Sequence, residues 1–212
     1  ARVNFYNVTG VPHVRVDGTY GITPSTGNIS TIRNYIRSRH VATSPCTMDF
    51  TALATGETGV QVIGTITAEE DMVSPNQRLF VALITDTVQY SSPPGTNGET
   101  LFDDVFRDMW PTSSGQAFTL TAGQTYNINA TLVRATAWNV DDLEVVVWVQ
   151  DYSSRVVHQA GIARLSRNYG MTTETASARQ LIWDMNGGEV VYSVDLTNIG
   201  MLDDTYDVNL EG

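Results

Sequence analysis

Hydrophobic and polar residues alternate along most of the middle of the chain. Residues 47–53 place three apolar side chains between threonines and an aspartate, and residues 60–68 repeat this period of two. Such alternation is typical of strands with one buried face. Residues 78–85 are apolar on both faces, which predicts a central strand. Further strands are predicted at 117–121, 125–134, 143–151 and 155–161, of which the last two form a hairpin.

A different period appears in residues 99–110. Its apolar residues recur as neighbouring pairs every four positions, which places them in one stripe along a helix. They are Leu101, Phe102, Val105, Phe106, Met109 and Trp110. Thr96 and Glu99 have the spacing of a capping box, and Pro111 would stop the helix. We therefore predict a helix over residues 99–110 that packs across one end of a sheet. A partner-binding groove is the alternative use of its stripe.

Short strands at this spacing, with turn residues between them, are typical of a β-sandwich. The sequence thus predicts a mainly β fold. Residues 44–164 are expected to form an antiparallel β-sandwich of immunoglobulin-like or jelly-roll type with one packed helix. The small and polar segment 41–45 is typical of a linker.

Residues 1–43 follow another pattern. A turn that contains Pro12 leads into a short alternating strand and then a glycine turn. Residues 28–37 carry three isoleucines at helical spacing, with arginines and a histidine after them, where cations complement the helix dipole. The segment is therefore predicted to form a strand, a turn and a helix.

Composition narrows the class of partner. The chain has a formal net charge of −11, and all 12 of its basic residues are arginines without a local cluster. Phosphate binding needs concentrated positive charge, so we expect no nucleic-acid partner. No apolar run approaches the roughly 20 residues that span a bilayer, so no membrane insertion is expected. The one cysteine, Cys46, is interpreted as a small buried hydrophobic residue.

The residues around Pro12, from Tyr6 to Gly18, resemble the C-terminal half of a thioredoxin fold. The resemblance implies a cis peptide bond before Pro12, an inner strand after it and a helix that closes the domain. The redox activity of that family needs a Cys-x-x-Cys motif, which this chain lacks. One thiol cannot both attack and resolve a disulfide. His13 is therefore interpreted as flanking a structural turn.

The middle of the chain resembles the β-domain that follows the thioredoxin domain in some secreted, outer-membrane-associated bacterial proteins. The resemblance rests on four segments and implies no active site: Leu79–Thr85, Tyr90–Pro94, Phe102–Met109, and Trp148–Asp151 with Gln159 and Ala160.

The end of the chain resembles the start of an immunoglobulin-like repeat of bacterial surface proteins. It carries Leu-Thr-Asn-x-Gly up to Gly200 and then Asp-Thr-Tyr-Asp-Val from Asp204. A full domain of this kind takes about 100 residues. The predicted division is a partial thioredoxin-like unit at 1–43, the sandwich at 44–164 and an incomplete immunoglobulin-like unit at 165–212.

Clusters of acidic residues are the candidate metal ligands. Calcium takes six to eight oxygens from a spaced loop, and none of the clusters has that spacing. The calcium candidates are Asp141, Asp142, Asp203 and Asp204, with solvated turns as the alternative. Glu69, Glu70 and Asp71 form a further acidic cluster. The three histidines are not spaced for zinc, and no catalytic residue or cofactor is predicted. Trp138 and Trp183 are the candidates for glycan contact.

Three functions remain open at this point. The first is a non-catalytic extracellular or cell-surface bacterial protein of structural or adhesive kind. Its partial units would be completed by neighbouring domains of a longer chain, or by other copies through strand complementation, which yields a filament where it does not close. The second is the accessory region of a secreted thioredoxin-like oxidoreductase. The third is a glycan-binding module.

Overall fold

The computed structural model describes residues 2–167, 171–175, 194–198, 200 and 205. The chain divides into two compact units, Ala1–Leu165 and Ser166–Gly212, and each is described by itself. The first unit contains both the N-terminal segment and the sandwich that the sequence predicts.

Short elements precede the sheet. Helix α1 spans Arg2–Phe5, strands β1 (Val14–Val16) and β2 (Tyr20–Ile22) form an antiparallel hairpin, and helix α2 spans Ile29–His40. The strand and helix predicted here are confirmed. The thioredoxin-like assignment of the segment stays a prediction. No helix in the described part of the chain has the length and hydropathy that crossing a membrane requires.

Eight strands form the main sheet. They are β3 (Cys46–Thr55), β4 (Gly59–Ala68), β5 (Gln77–Gln89), β6 (Leu101–Trp110), β7 (Gln116–Ala117), β8 (Thr125–Val133), β9 (Leu143–Asp151) and β10 (Val157–Arg167). Their order is β6-β5-β9-β10-β3-β4-β8, with β7 beside β5. The predicted central strand is confirmed, because β5 lies between β6 and β9. The predicted hairpin of β9 and β10 is also confirmed, with a bulge between Val157 and Gln159.

The sheet curls back on itself. Strands β6 and β8 are the two ends of the strand order, yet the backbone N–H of Val133 in β8 donates to the carboxylate of Asp108 in β6 at 2.8 Å. The edges therefore meet at one point and enclose the core between two layers of strands. This confirms the predicted mainly β, sandwich-like fold.

Inward-facing residues of the curled sheet make the core. On one layer they are Leu79, Val81 and Leu83 of β5 with Val145, Val147 and Val149 of β9. On the other they are Val60, Val62 and Ile66 of β4 with Ile128, Ala130 and Leu132 of β8. Full burial stabilises the fold by about 1.5–3 kcal/mol for each large aliphatic side chain. The alternation of the sequence thus specifies which face of each strand is buried.

The helix predicted for residues 99–110 is wrong. This segment is strand β6, which pairs antiparallel with β5 from Gln89↔Leu101 to Val81↔Trp110. The pairing register shifts between Leu83 and Ile84, and Asp104 adopts a φ of 52°. These irregularities break the period of two, so the apolar residues fall by coincidence at helical spacing. Pro111 therefore follows a strand. In the first unit, α2 is the α-helix longer than one turn, and it precedes the strands of the sandwich in the chain.

The strand predicted at 117–121 is much shorter than expected. Strand β7 covers only Gln116–Ala117, and Leu120 instead forms an isolated bridge with Met72. The two backbone hydrogen bonds of this bridge measure 2.7 and 3.1 Å.

The second unit contains an antiparallel pair of strands. Strand β11 (Met171–Thr175) pairs with β12 (Val194–Asn198) from Met171↔Asn198 to Thr175↔Val194. Most of the predicted immunoglobulin-like unit lies outside the described residues, and so do Trp183, Asp203 and Asp204.

Candidate functional site

Within the described part of the chain, strand β8 presents an open backbone edge. Just outside the strand, Ala68 N donates to Gln124 O at 2.9 Å and Arg134 N donates to Thr58 O at 2.8 Å, so the even-numbered backbone groups face β4. Backbone groups alternate in direction along a strand, and the odd-numbered ones therefore point away from β4. Val133 N is one of these, and it reaches Asp108 as described above.

Four residues of β8 direct their N–H and C=O groups to this edge. They have no strand partner there within the described part of the chain, and their side chains are exposed: Thr125, Asn127, Asn129 and Thr131. The strand contains no charge, proline or glycine, and it pairs with β4 without a bulge over its whole length. A regular unpaired edge of this kind is a template for a further strand. We call these four residues the open β8 edge.

The edge of β6 is built differently. It carries Asp103, Asp104, Arg107 and Asp108, and its backbone is bulged where it pairs with β5. Charges and bulges are the devices by which proteins prevent strand addition. The two ends of one sheet therefore differ in whether they can accept a strand.

A polar cleft lies where β10 begins. It has a volume of about 280 Å³ and is lined in part by Asp17, Arg39 and His158. Arg39 Nε donates to Asp17 Oδ2 at 2.9 Å. Burial lowers the pKa of His158, and the charge of Arg39 acts in the same direction while Asp151 opposes it. His158 Nε2 lies 3.3 Å from the side-chain amide of buried Gln77, within hydrogen-bond distance.

The nearby hydroxyl and thiol groups are engaged in holding the chain. Ser44 Oγ donates to the carbonyl of Cys46 at 2.6 Å, and Ser74 Oγ donates to Asp151 at 2.9 Å. Cys46 is buried, and burial raises the pKa of its thiol. Desolvation raises the pKa of Asp151, but hydrogen bonds from serines of the following turn and from Ser74 outweigh it and hold that pKa below its ordinary value. The serine hydroxyls and the Asp151 carboxylate thus link neighbouring segments of the chain.

A buried amide ties the N-terminal helix to the sheet. Gln150 of β9 is fully buried, and its Nε2 donates to Tyr6 Oη at 2.8 Å and to the carbonyl of Arg155 at 2.7 Å. Its Oε1 accepts from Arg2 Nη2 at 2.7 Å. Every hydrogen-bonding atom of the amide therefore has a partner.

Arg2 also covers aromatic rings on the outer face of the sheet. Its guanidinium lies 4.6 Å from the ring centre of Phe80 and 5.8 Å from that of Trp148, and the two rings stack on each other. Burial lowers the pKa of Arg2, although Tyr6 opposes this shift. Trp148 faces away from the core and packs beneath α1.

The structure brings together one group of three carboxylates that sequence spacing did not reveal. Within the described residues, Asp86, Asp104 and Glu144 place carboxylate oxygens within 4.8 Å of one another. Arg164 pairs with Asp86 at 3.4 Å and with Glu144 at 3.1 Å, and its charge balances part of the cluster. These residues come from neighbouring strands, so only the register could have shown their proximity.

The predicted calcium candidates that are described lie in a capped turn. The Asn139 side chain accepts from Asp141 N and donates to Asp142 Oδ2, both at 3.3 Å. Neither aspartate belongs to the three-carboxylate group. Of the third acidic cluster, Glu69 accepts from Thr47 and Asp71 accepts from Ala122 N.

Two other predicted positions are described. The peptide bond between Val11 and Pro12 is cis, and Nε2 of the adjacent His13 is buried without a hydrogen-bond partner among the residues that the structure describes. The indole of Trp138 packs against the core on one side, and Arg107 lies 4.6 Å from its ring centre. The ring is therefore partly occupied by the chain itself.

Known proteins share the fold of this chain, but none of the comparisons assigns the chain to a family. No family model and no curated protein sequence matches the chain. The solved structure of HBP35 of Porphyromonas gingivalis is similar to it, with a TM-score of 0.63 and 16% identity over 97% of this chain. The chain spans 66% of the length of HBP35. At this identity the similarity shows a shared fold.

A domain of the outer membrane lipoprotein Omp28 from Porphyromonas gingivalis was also found. It is 15% identical over 60% of this chain, and the match covers 93% of that domain. Its TM-score of 0.41 supports no inference beyond this report.

Proposed function

We propose that the chain is a non-catalytic structural or adhesive module of an extracellular or cell-surface bacterial protein, and that it acts through strand addition. The observation that carries the proposal is the open β8 edge. It offers a regular, uncharged row of backbone donors and acceptors, while the other end of the sheet is bulged and charged. In strand addition, main-chain hydrogen bonds give the affinity.

The chemistry of the polar groups supports the same proposal. The His158 ring lies against the Gln77 amide, the Asp151 carboxylate accepts hydrogen bonds from its own turn, and the Cys46 thiol is buried. Asp151 is thereby engaged within its turn, and the thiol is shielded from solvent. The extracellular setting is supported by the resemblance of the sequence to secreted, outer-membrane-associated proteins. The fold it shares with HBP35 supports the β architecture only.

Self-association provides the test. The purified chain is examined by light scattering and by sedimentation velocity over a wide range of concentrations. The proposal expects the average mass to rise above 23.2 kDa with concentration. A single sharp monomer at every concentration would refute self-association by strand addition. Protease treatment of intact cells that express the protein tests the surface setting, since an internal protein is protected.

A second candidate is favoured by the exposed apolar face of α2. Ile29 and Ile36 are 53% and 54% exposed, and they lie on the same side of the helix. An uncovered stripe of this kind fits a segment that packs against a further layer, as in an accessory region of a thioredoxin-like oxidoreductase. A Cys-x-x-Cys motif encoded directly upstream in the gene would support this candidate, and its absence there would count against it.

A further inference from the structure

We propose that the strand added at the open β8 edge is the β8 strand of a second copy of this chain. The two copies would then form one continuous antiparallel sheet about a two-fold axis. This inference rests on the proposed function and adds to it the partner, the strand and the register.

Charge favours a second copy through this strand. The chain carries a net charge of −11, so most pairs of surfaces on two copies repel each other. Strand β8 has no charged residue over its nine positions. Pairing β8 with β8 places threonine and asparagine side chains opposite one another. Like charges directly opposite one another destabilise a strand pair, and this pairing brings none together.

The irregular backbone of β6, at the other end of the sheet, excludes β6 as the partner strand. Strand β6 has a register shift and a left-handed residue, Asp104, in its backbone. Its evenly spaced hydrogen-bonding row is thereby interrupted, and a straight strand cannot follow it. Strand β8, in contrast, pairs residue for residue with β4 from Gly59↔Val133 to Thr67↔Thr125. Among the edges of the main sheet, β8 is therefore the one that matches itself.

The register follows from which backbone groups are free. Val133 N is already bonded to Asp108, so the row of β8 groups without a partner among the described residues runs from Thr125 to Thr131. The centre of that row is Ile128. A two-fold axis there pairs Asn127 with Asn129 of the second copy and Thr125 with Thr131 of the second copy. Each of these pairs exchanges two backbone hydrogen bonds, as narrow antiparallel pairs do.

The first experiment compares two substitutions at one position. Asn127→Pro removes only an N–H that points to the open edge, so the ladder with β4 keeps its bonds. Asn127→Ala removes the side chain and keeps this N–H. We expect Asn127→Pro to weaken self-association by about tenfold or more, because it deletes one backbone hydrogen bond from each copy, two in all, and obstructs the partner strand. The Asn127→Ala variant should associate like the parent. Equal association of both variants with the parent would overturn the inference.

The second experiment reads the register and does not depend on the proline variant folding. Asn127→Cys and Asn129→Cys chains, one of them carrying a mass tag, are mixed and mildly oxidised. Opposed residues in this register have Cα atoms about 5.5 Å apart, within disulfide range, whereas residue 127 and its own copy are offset diagonally by about 7–8 Å. We expect the mixed disulfide to predominate. Thr51→Cys on the central strand β3 is the exposed control and should not cross-link.

The outcomes separate this inference from the proposed function. If the chain is monomeric at every concentration, the proposed function fails together with the inference. If the chain associates but the cysteines form no mixed disulfide, or each cysteine variant cross-links equally with itself, the inference alone is overturned. A mass plateau at twice 23.2 kDa together with the mixed disulfide supports it.

Discussion

The buried amide of Gln150 should be the most sensitive polar position of the sandwich. The perturbation is Gln150→Leu, which keeps the side-chain volume similar and removes both amide functions. The structure shows what is lost: two hydrogen bonds from Nε2, to Tyr6 and to the Arg155 carbonyl, and one from Arg2 to Oε1. All three distances lie between 2.7 and 2.8 Å, and the residue is fully buried.

The magnitude follows from the partners left behind. An unsatisfied buried acceptor costs about 1–3 kcal/mol, and a hydrogen bond from a charged donor contributes about 1.5–3 kcal/mol. The apolar leucine recovers part of this by its own burial. We therefore expect the free energy of unfolding to fall by about 3 kcal/mol, a large share of the 5–15 kcal/mol typical of a domain.

Urea unfolding followed by tryptophan fluorescence measures the loss, since Trp148 lies beside the site. With a slope of about 1–3 kcal/mol per molar urea, the midpoint should fall by at least about 1 M at an unchanged slope. Gln89→Leu is the matched control, because Gln89 is exposed and should change stability by less than about 0.5 kcal/mol. Tyr6→Phe removes only the shared hydroxyl and should show non-additivity with Gln150→Leu. A loss below about 1 kcal/mol in Gln150→Leu would refute this account of the network.

Three further predictions concern packing, pH and the thiol. A Cβ at Gly64 would lie 2.2 Å from the Asp49 carbonyl oxygen and 2.5 Å from Phe50 Cβ, so Gly64→Ala should lower the thermal midpoint while Gly95→Ala, with no contact below 3.6 Å, should not. Burial lowers the pKa of His158 in the folded state, so the unfolded chain binds the proton more tightly. The free energy of unfolding should therefore fall as the pH drops below about 6.5. Urea titrations at several pH values should show a weaker pH dependence for His158→Gln than for the parent. Cys46 is 1% exposed with a raised thiol pKa, so a thiol reagent should label it slowly in buffer and rapidly in denaturant, and equal rates would contradict its burial.

The strands were largely predictable where inward-facing and outward-facing residues alternate regularly along the sequence. Residues 60–68 alternate except at Ile63, which is exposed, and the structure buries Val60, Val62 and Ile66 as expected. The apolar run of β5 also predicted its central place, because its inner face meets the core and its outer face lies under the N-terminal segment, where Phe80 is fully buried. Local periodicity suffices in such segments, since burial is what the pattern encodes.

Strand β6 could not be predicted in the same way. Phe102 and Phe106 have a helical spacing in the sequence, and the irregular pairing of β6 accommodates that spacing in a strand. The segment is a strand because it pairs with β5, and this long-range pairing is not visible in the local pattern. The candidate site was hidden for a related reason. The residues around Asn127 carry no local signal that β8 lies at the end of the strand order. The hydrogen bond between Gln150 and Arg2 joins residues 148 positions apart in the chain. Edges and long-range pairs are properties of the topology, which a local pattern does not contain.

The contrast between the two ends of the sheet bears on the kind of assembly that this fold permits. A filament requires two different surfaces on each copy, so that every addition leaves a new free end. In the first unit, β6 is bulged and carries three aspartates, and it therefore cannot serve as the second surface for a regular strand. Pairing of β8 with β8 uses the same edge on both copies and leaves no equivalent edge free. Strand addition through the main sheet should therefore stop at two copies, and growth beyond a dimer would require a surface other than the β6 edge.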